Sequence, residues 1–427
     1  MKTALAVISI FISCSIMGQV IRPRVLTVDS IAIDVPVYLD SIEVGVSKQI
    51  AGKKLISSTL LKANPNQNFA ELLQKQSGIF IRSSGAGMLS TPSYKGLGTQ
   101  QTPIVINGAN MQSSMNGTMD LSLIDAAHFG RVSLNPADQN ATGAQNMGDA
   151  ISLSSLAQKK GLHLGLSSST QNEISANIKY VRHMKDWYYS ISGVATQSEN
   201  RVNLERYGID KLQANTDYKR ASILQTTGYK WKHSEWVNTI YLQGSERGVP
   251  PQIYQMNNSR QEDANVMMVN KYILKTSKNW IYEAANQIWA EQIVFDNAQN
   301  GVQTDSKVFN SNTTASGSKY FKNKWYGKFG IGQSVARYTS EALASDAVWN
   351  RPRVFLKLRK SYDKIAFSLT QNTVFYEGKE AFSGELKSEG DFAKVYTWSA
   401  SVNKVYRLPV LNELYWYMPG EAVGNPD

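Results

Sequence analysis

From Lys160 onward the chain alternates polar and apolar residues in runs of roughly ten to fifteen, a period of two that belongs to strands with one apolar and one polar face. Leu162, Leu164 and Leu166 alternate with His163 and Gly165, and Tyr189, Ile191 and Gly193 with Ser190, Ser192 and Val194. Val354, Leu356 and Leu358 alternate in the same way with Phe355, Lys357 and Arg359. Short polar turns recur at 183–186, 232–234, 276–278, 321–324 and 361–363, at spacings of roughly 40 to 50 residues, so each interval predicts two strands and one longer connection. The longer connections are expected at 201–217, 247–264 and 338–348. Neither a blade-like repeat nor the shared core of successive sandwich strands is present, which argues against a propeller or a β-sandwich.

Aromatic residues gather near the expected strand ends: Trp187-Tyr188-Tyr189, Tyr229 and Trp231, Trp280 and Tyr282, Trp325-Tyr326, and Trp398. Amphipathic rings at such positions suit the two interfaces of a membrane. Beyond the N-terminus no apolar run is long enough for a spanning helix, so insertion has to be through a closed barrel, whose strands satisfy every backbone group. The net charge of +11 comes mostly from this region. A basic surface suits lipid phosphates or an anionic ligand, although a solvated face accounts for most single lysines. No nucleic-acid-binding motif is present.

At the N-terminus, Lys2 precedes an apolar stretch from Ala4 to Ile12, with small or polar residues through Gly18, the pattern of a secretory signal peptide at 1–18. Cleavage near Gly18-Gln19 removes Cys14, the only cysteine, and leaves a chain without disulfides or thiolate ligands. Acylation of Cys14 is the alternative, but Phe11-Ile12-Ser13 is a poor context for it.

Between these regions lies a segment of different texture. Phe69, Leu72 and Leu73 share one helical face, followed by Gly78 as a stop. Ile79 to Ile81 and Ile104 to Ile106 are short strand-like runs, and Asn107-Gly108 is a turn signal. The result is a small α+β domain with few charges, suited to being enclosed by something else.

Three motifs carry a resemblance. Asn68-Phe69-Ala70-Glu71-Leu72-Leu73, Ser77-Gly78-Ile79-Phe80-Ile81, Ser93-Tyr94-Lys95-Gly96-Leu97-Gly98 and Thr102-Pro103-Ile104-Val105-Ile106-Asn107-Gly108 together resemble the plug domain of TonB-dependent outer-membrane receptors. Upstream, Val37 to Val46 is similar to the box through which such receptors pair with TonB, with Leu39, Asp40, Ile42, Glu43, Val44 and Val46 as the coupling residues; an extended strand can be captured by β-augmentation. Near the end, Tyr406-Arg407-Leu408-Pro409-Val410-Leu411-Asn412-Glu413-Leu414-Tyr415-Trp416 is similar to the barrel motif Arg-x-Pro-x-x-Asn-Glu-Leu, on Arg407, Pro409, Asn412 and Glu413. Gly424-Asn425-Pro426-Asp427 resembles its continuation.

The implied architecture is a small α+β plug domain inside a transmembrane antiparallel β-barrel. Its expected parts are a signal peptide at 1–18, an N-terminal segment at 19–50, the plug at 51–158 and the first part of the barrel at 159–427. About twelve strands are counted, against 22 in plugged transporters, so the sequence is expected to be C-terminally incomplete. The short N-terminal segment leaves no room for an additional N-terminal domain. Two departures from the family pattern fall in the plug: Asn135-Pro136-Ala137 follows Arg131-Val132-Ser133-Leu134, where Arg-Gly-Pro is common, and Lys95 replaces an arginine. Plug-to-wall contacts that need a guanidinium therefore have to be made differently.

The resemblance implies a monomer in the outer membrane of a Gram-negative bacterium, surrounded by lipid, with TonB as periplasmic partner. Its ligand would be a scarce nutrient such as an iron-siderophore or cobalamin, a small metal-chelate or a vitamin, with no resident cofactor. A non-transporting surface binding or adhesion protein, or a decayed remnant, is the alternative. Catalytic readings find little support. His128, His163, His183 and His233 lack metal-ligand spacing, Gly332-Gln333-Ser334-Val335-Ala336 lacks the last glycine of a nucleophile elbow, and Gly85-Ala86-Gly87 leads into Met88 rather than into a phosphate loop. Five of the twelve methionines, Met88, Met111, Met115, Met119 and Met147, fall in the plug. They read either as a soft ligand surface or copper-capturing thioethers, or as gap-filling core residues. The expected ligand contacts in the apical plug loops are Ser84, Met88, Met111, Ser113, Met115 and Asn116.

Overall fold

A computed structural model describes residues 55–56, 61, 67–94, 96–136, 149–155, 160–169, 172–200, 202–205, 212–250, 258–297, 301–343, 346–392, 396–418 and 422–425. The expected signal peptide, the coupling residues Leu39, Asp40, Ile42, Glu43, Val44 and Val46, and Lys95 lie outside them.

The first part of the chain folds as a small mixed domain. After β1 (Leu55–Ile56), Asn68 caps helix α1 (Phe69–Gln76). The Asn68 side-chain oxygen accepts the Glu71 N–H at 2.9 Å, while its amide donates to Glu71 Oε1 at 3.1 Å, a reciprocal cap that fixes the helix start. Phe69, Leu72 and Leu73 are fully buried, as their spacing predicts. Next come the hairpin β2 (Phe80–Ser83) and β3 (Ser90–Ser93), then β4 (Ile104–Ile106), β5 (Ala109–Asn110), β6 (Arg131–Pro136) and β7 (Asp149–Ser154). The sheet order is β1-β6-β7-β4-β5, with β4 parallel to β7. Asn107 (φ 48°) and Gly108 (φ 92°) both adopt left-handed backbone, the requirement of a two-residue hairpin turn, and join β4 to β5.

Thirteen antiparallel strands follow as one meander. They are β8 (Gly161–Ser168), β9 (Glu173–His183), β10 (Trp187–Ser198), β11 (Tyr218–Lys230), β12 (Ser234–Gly248), β13 (Arg260–Lys275), β14 (Trp280–Asn297), β15 (Val302–Phe321), β16 (Trp325–Thr339), β17 (Ala347–Ser361), β18 (Ile365–Tyr376), β19 (Lys379–Phe392) and β20 (Tyr396–Lys404). Each is hydrogen-bonded to its sequence neighbours, and among the described residues β8 and β20 are not paired with each other, so the cylinder is open there.

Thirteen strands agree with the expected count of about twelve. At Glu377-Gly378 a two-residue turn, with φ of 47° and 74°, joins β18 to β19. The connection expected at 247–264 is shorter, because β12 runs to Gly248 and β13 begins at Arg260. Its charged residues belong to the ladder and are ion-paired: Arg247 with Asp120, and Arg260 with Asp217 and Glu246.

Alternation sorts the side chains as the period of two requires. On β11, Tyr218, Arg220, Ser222, Leu224 and Thr226 are buried facing the plug, and the residues between them are more exposed. On β8, Leu162, Leu164 and Leu166 point outward, the last 78% exposed, and Phe309, Phe329, Ile331, Leu386 and Val402 add to the outer apolar band. The expected turn aromatics converge on one rim, where Tyr229 stands 4.5 Å from Trp187 and 4.4 Å from Trp231 between ring centroids. Lys319 over Trp280 and Lys360 over Trp325 extend that belt. The main core is shared by plug and wall, with Leu72, Ile106, Met111, Ile124 and Ile151 packed beside Leu224, Tyr241, Met267 and Trp289.

Candidate functional site

Two groups of contacts join the plug to the wall. The first is ionic and buried. Arg220 on β11 pairs with Asp125 of the plug at 2.9 Å and donates to the Ser122 carbonyl at 2.7 Å. Arg247 on β12 pairs with Asp120 at 2.7 Å, and its guanidinium lies 3.5 Å from Asp263. Beside them His128 is completely enclosed, with Nδ1 2.7 Å from Ser192 Oγ and Nε2 2.7 Å from Ser222 Oγ. Ser222 donates to Asp125 Oδ2 at 2.7 Å, so its oxygen is left to accept from His128. Nε2 therefore carries the proton, Nδ1 accepts from Ser192, and the ring is neutral. Burial holds the imidazole down to about 4, with Lys179 and Arg220 acting in the same direction and Asp125 opposing. Lower down, the Asn107 amide of the turn donates to Ser155 at 2.8 Å and to Thr239 at 3.0 Å. Sequence reading missed this group. Its only signal was that Asp120 and Asp125 stand in an otherwise nearly neutral domain, with Arg220 on the buried face of its strand.

The second group lies at the opposite rim from the aromatic belt, where the longer connections are. Plug loop 84–89 meets the wall there: the Gly87 carbonyl accepts from Arg247 at 3.3 Å, and the Ala86 carbonyl from Asn200 at 3.1 Å. Ser84 is exposed and Met88 is buried. In plug loop 111–119, Met111 and Met119 belong to the main core. Ser113 is buried and donates to Glu291 of β14 at 2.6 Å, and Ser114 accepts from Asn310 of β15. Met115 packs among Val308, Tyr338, Trp349 and Leu411, whereas Asn116 is exposed. The structure thus brings Ser113, Met115 and Asn116 together, sets Ser84 and Met88 on a separate loop, and gives Met111 a packing role.

The motif at 406–416 leaves the wall and folds over that loop. Its helix α2 (Leu411–Tyr415) presents two amide donors to the plug, Leu411 N–H to the Ser114 carbonyl at 3.1 Å and Asn412 N–H to the Met115 carbonyl at 2.9 Å. Arg407 holds Glu413 at 2.9 and 2.7 Å and donates to plug residue Gln100 at 2.9 Å. Glu413 also accepts the Val410 N–H at 3.1 Å, and Arg351 of β17 donates to the Pro409 carbonyl at 2.9 Å. All four motif residues therefore build one bridge between barrel and plug. Under it is a cavity of about 420 Å³, lined by Met115 and Asn116 of the plug, Phe295 and Tyr338 of the wall, and Asn412 and Trp416 of the bridge.

Residues 46–151 match the TonB-dependent Receptor Plug Domain family. Residues 46–151 are thus a plug domain of the TonB-dependent receptor type, and the fold of the whole chain is like that of such receptors. The chain superposes on the copper transporter OprC with a TM-score of 0.65 at 13% identity, covering 85% of this chain and 66% of that one. The FrpB iron transporter from Neisseria meningitidis gives 0.68 at 12% identity, with 84% and 65% covered. A mutant of the ferric enterobactin receptor PfeA from Pseudomonas aeruginosa gives 0.68 at 11%, with 86% and 63% covered. At these identities the likeness is one of fold, and the chain spans about two thirds of the length of these structures. No curated protein matches the chain in sequence.

Proposed function

We propose that this receptor resides in the bacterial outer membrane and carries out energy-coupled uptake of a scarce nutrient such as an iron-siderophore or cobalamin. One observation carries the reading: the cavity at the long-connection rim is lined by plug, wall and bridge together, so an occupant touches all three. Binding there bears on the same loop that Ser113 and Ser114 tie to the wall, a physical route from occupancy to plug position. The outward apolar band and the aromatic rim support a lipid surrounding.

TonB would engage residues 39–46 from the periplasm and draw on the plug by strand capture. The test is deletion of residues 39–46 in cells that depend on the receptor. Accumulation of labelled iron chelate or cobalamin is expected to vanish while surface binding persists; undiminished accumulation overturns the coupling.

A further inference from the structure

The lining of the apical cavity goes further than its position does. Phe295, Tyr338 and Trp416 supply aromatic faces, and Asn116, Gln261 and Asn412 supply amides that both donate and accept. No Asp, Glu, Lys or Arg stands among the described residues that line it. Four cations on the flanking strands and bridge each have a carboxylate partner: Lys307 with Asp305, Arg337 with Asp346, Arg260 with Asp217 and Glu246, and Arg407 with Glu413. The excess of basic residues in the chain is therefore not gathered at this site. A multiply anionic chelate entering it would surrender hydration without meeting a cation among the described lining residues, a desolvation cost that amides offset only in part. The buried Asn412 Oδ1 has no hydrogen-bond partner among the described residues and is ready to accept a ligand N–H or O–H.

We infer that the cavity selects an electroneutral ligand, a ring-bearing chelate or macrocycle that offers amide or hydroxyl groups and apolar edges, over an anionic catecholate or carboxylate chelate. This rests on the receptor reading for the site's role but concerns binding alone. The probes are ferrichrome, an uncharged ferric trihydroxamate, and cyanocobalamin, also uncharged, set against ferric enterobactin and ferric citrate, both anionic. Titration of the full-length receptor in detergent is followed by tryptophan fluorescence and calorimetry at 0.05 and 0.5 M NaCl. At least one neutral probe is expected to bind with a Kd that changes less than about twofold across that range, since screening weakens only charge-driven affinity. Asn116→Ala, at an exposed position whose side chain otherwise accepts from Thr118 alone, is expected to weaken it about fivefold, and Trp416→Ala more. Preference for an anionic probe with affinity falling as salt rises overturns the inference, and so does silence toward both neutral probes. Binding is measured without TonB, so loss of uptake with neutral-probe binding intact would count against transport only.

Discussion

Arg220 and Asp125 lie 95 positions apart in sequence and meet at 2.9 Å across the plug–wall interface, both at most 5% exposed. The pair is one end of a continuous hydrogen-bonded line through Ser222, His128 and Ser192, which ties the plug to β10 and β11. Removing one member of a buried pair leaves the other charge without compensation. Asp125→Asn is expected to cost about 3 kcal/mol, seen as a lower urea midpoint for plug release, and Asp125→Asn with Arg220→Met to recover part of it. Equal losses in the single and double variants would show that the pair is not coupled.

His128 gives the same interface a pH dependence. Unfolded, the imidazole takes up a proton near 6.5, whereas in the native interface it does so near 4. As pH falls through that window only the unfolded state gains the proton, so stability falls between about 6.5 and 4 and then levels. The loss attributable to this ring is about 3 kcal/mol. Urea midpoints at pH 7.5 and 4.5 should converge for His128→Gln relative to the parent.

The ion pair of the bridge behaves differently. Arg407 and Glu413 are each about a third exposed, at 34% and 36%, so the contact is screened and its contribution is below about 1 kcal/mol. Glu413→Gln is expected to leave global stability nearly unchanged while speeding amide exchange at Leu411 and Asn412 by up to about fivefold. Exchange unchanged at both amides would mean that the two plug carbonyls hold the helix unaided.

Met115 and Asn116 are adjacent but make opposite predictions. Met115 is 2% exposed in a packed cluster, and Met115→Ala is expected to cost about 2 kcal/mol or more through the cavity it leaves. Asn116→Ala is expected to stay within about 0.5 kcal/mol. Thermal unfolding of the two variants side by side checks this.

What the sequence determined by itself was local. The alternation around Leu162 to Leu166 required strands with an apolar outer face, and the Phe69, Leu72, Leu73 spacing required a helix with one buried face, because both periods follow from backbone geometry within a few residues. Asn107-Gly108 dictated its turn for the same reason, and the motif from Arg407 to Glu413 was recognisable as a contiguous string. Tertiary structure decided which buried-face residues meet. Arg220 reaches Asp125, Ser113 reaches Glu291, and Phe295, Tyr338 and Trp416 border one cavity only because strand register and plug placement bring distant positions together. A period of two states which face a side chain takes; it carries no information about the partner waiting on that face.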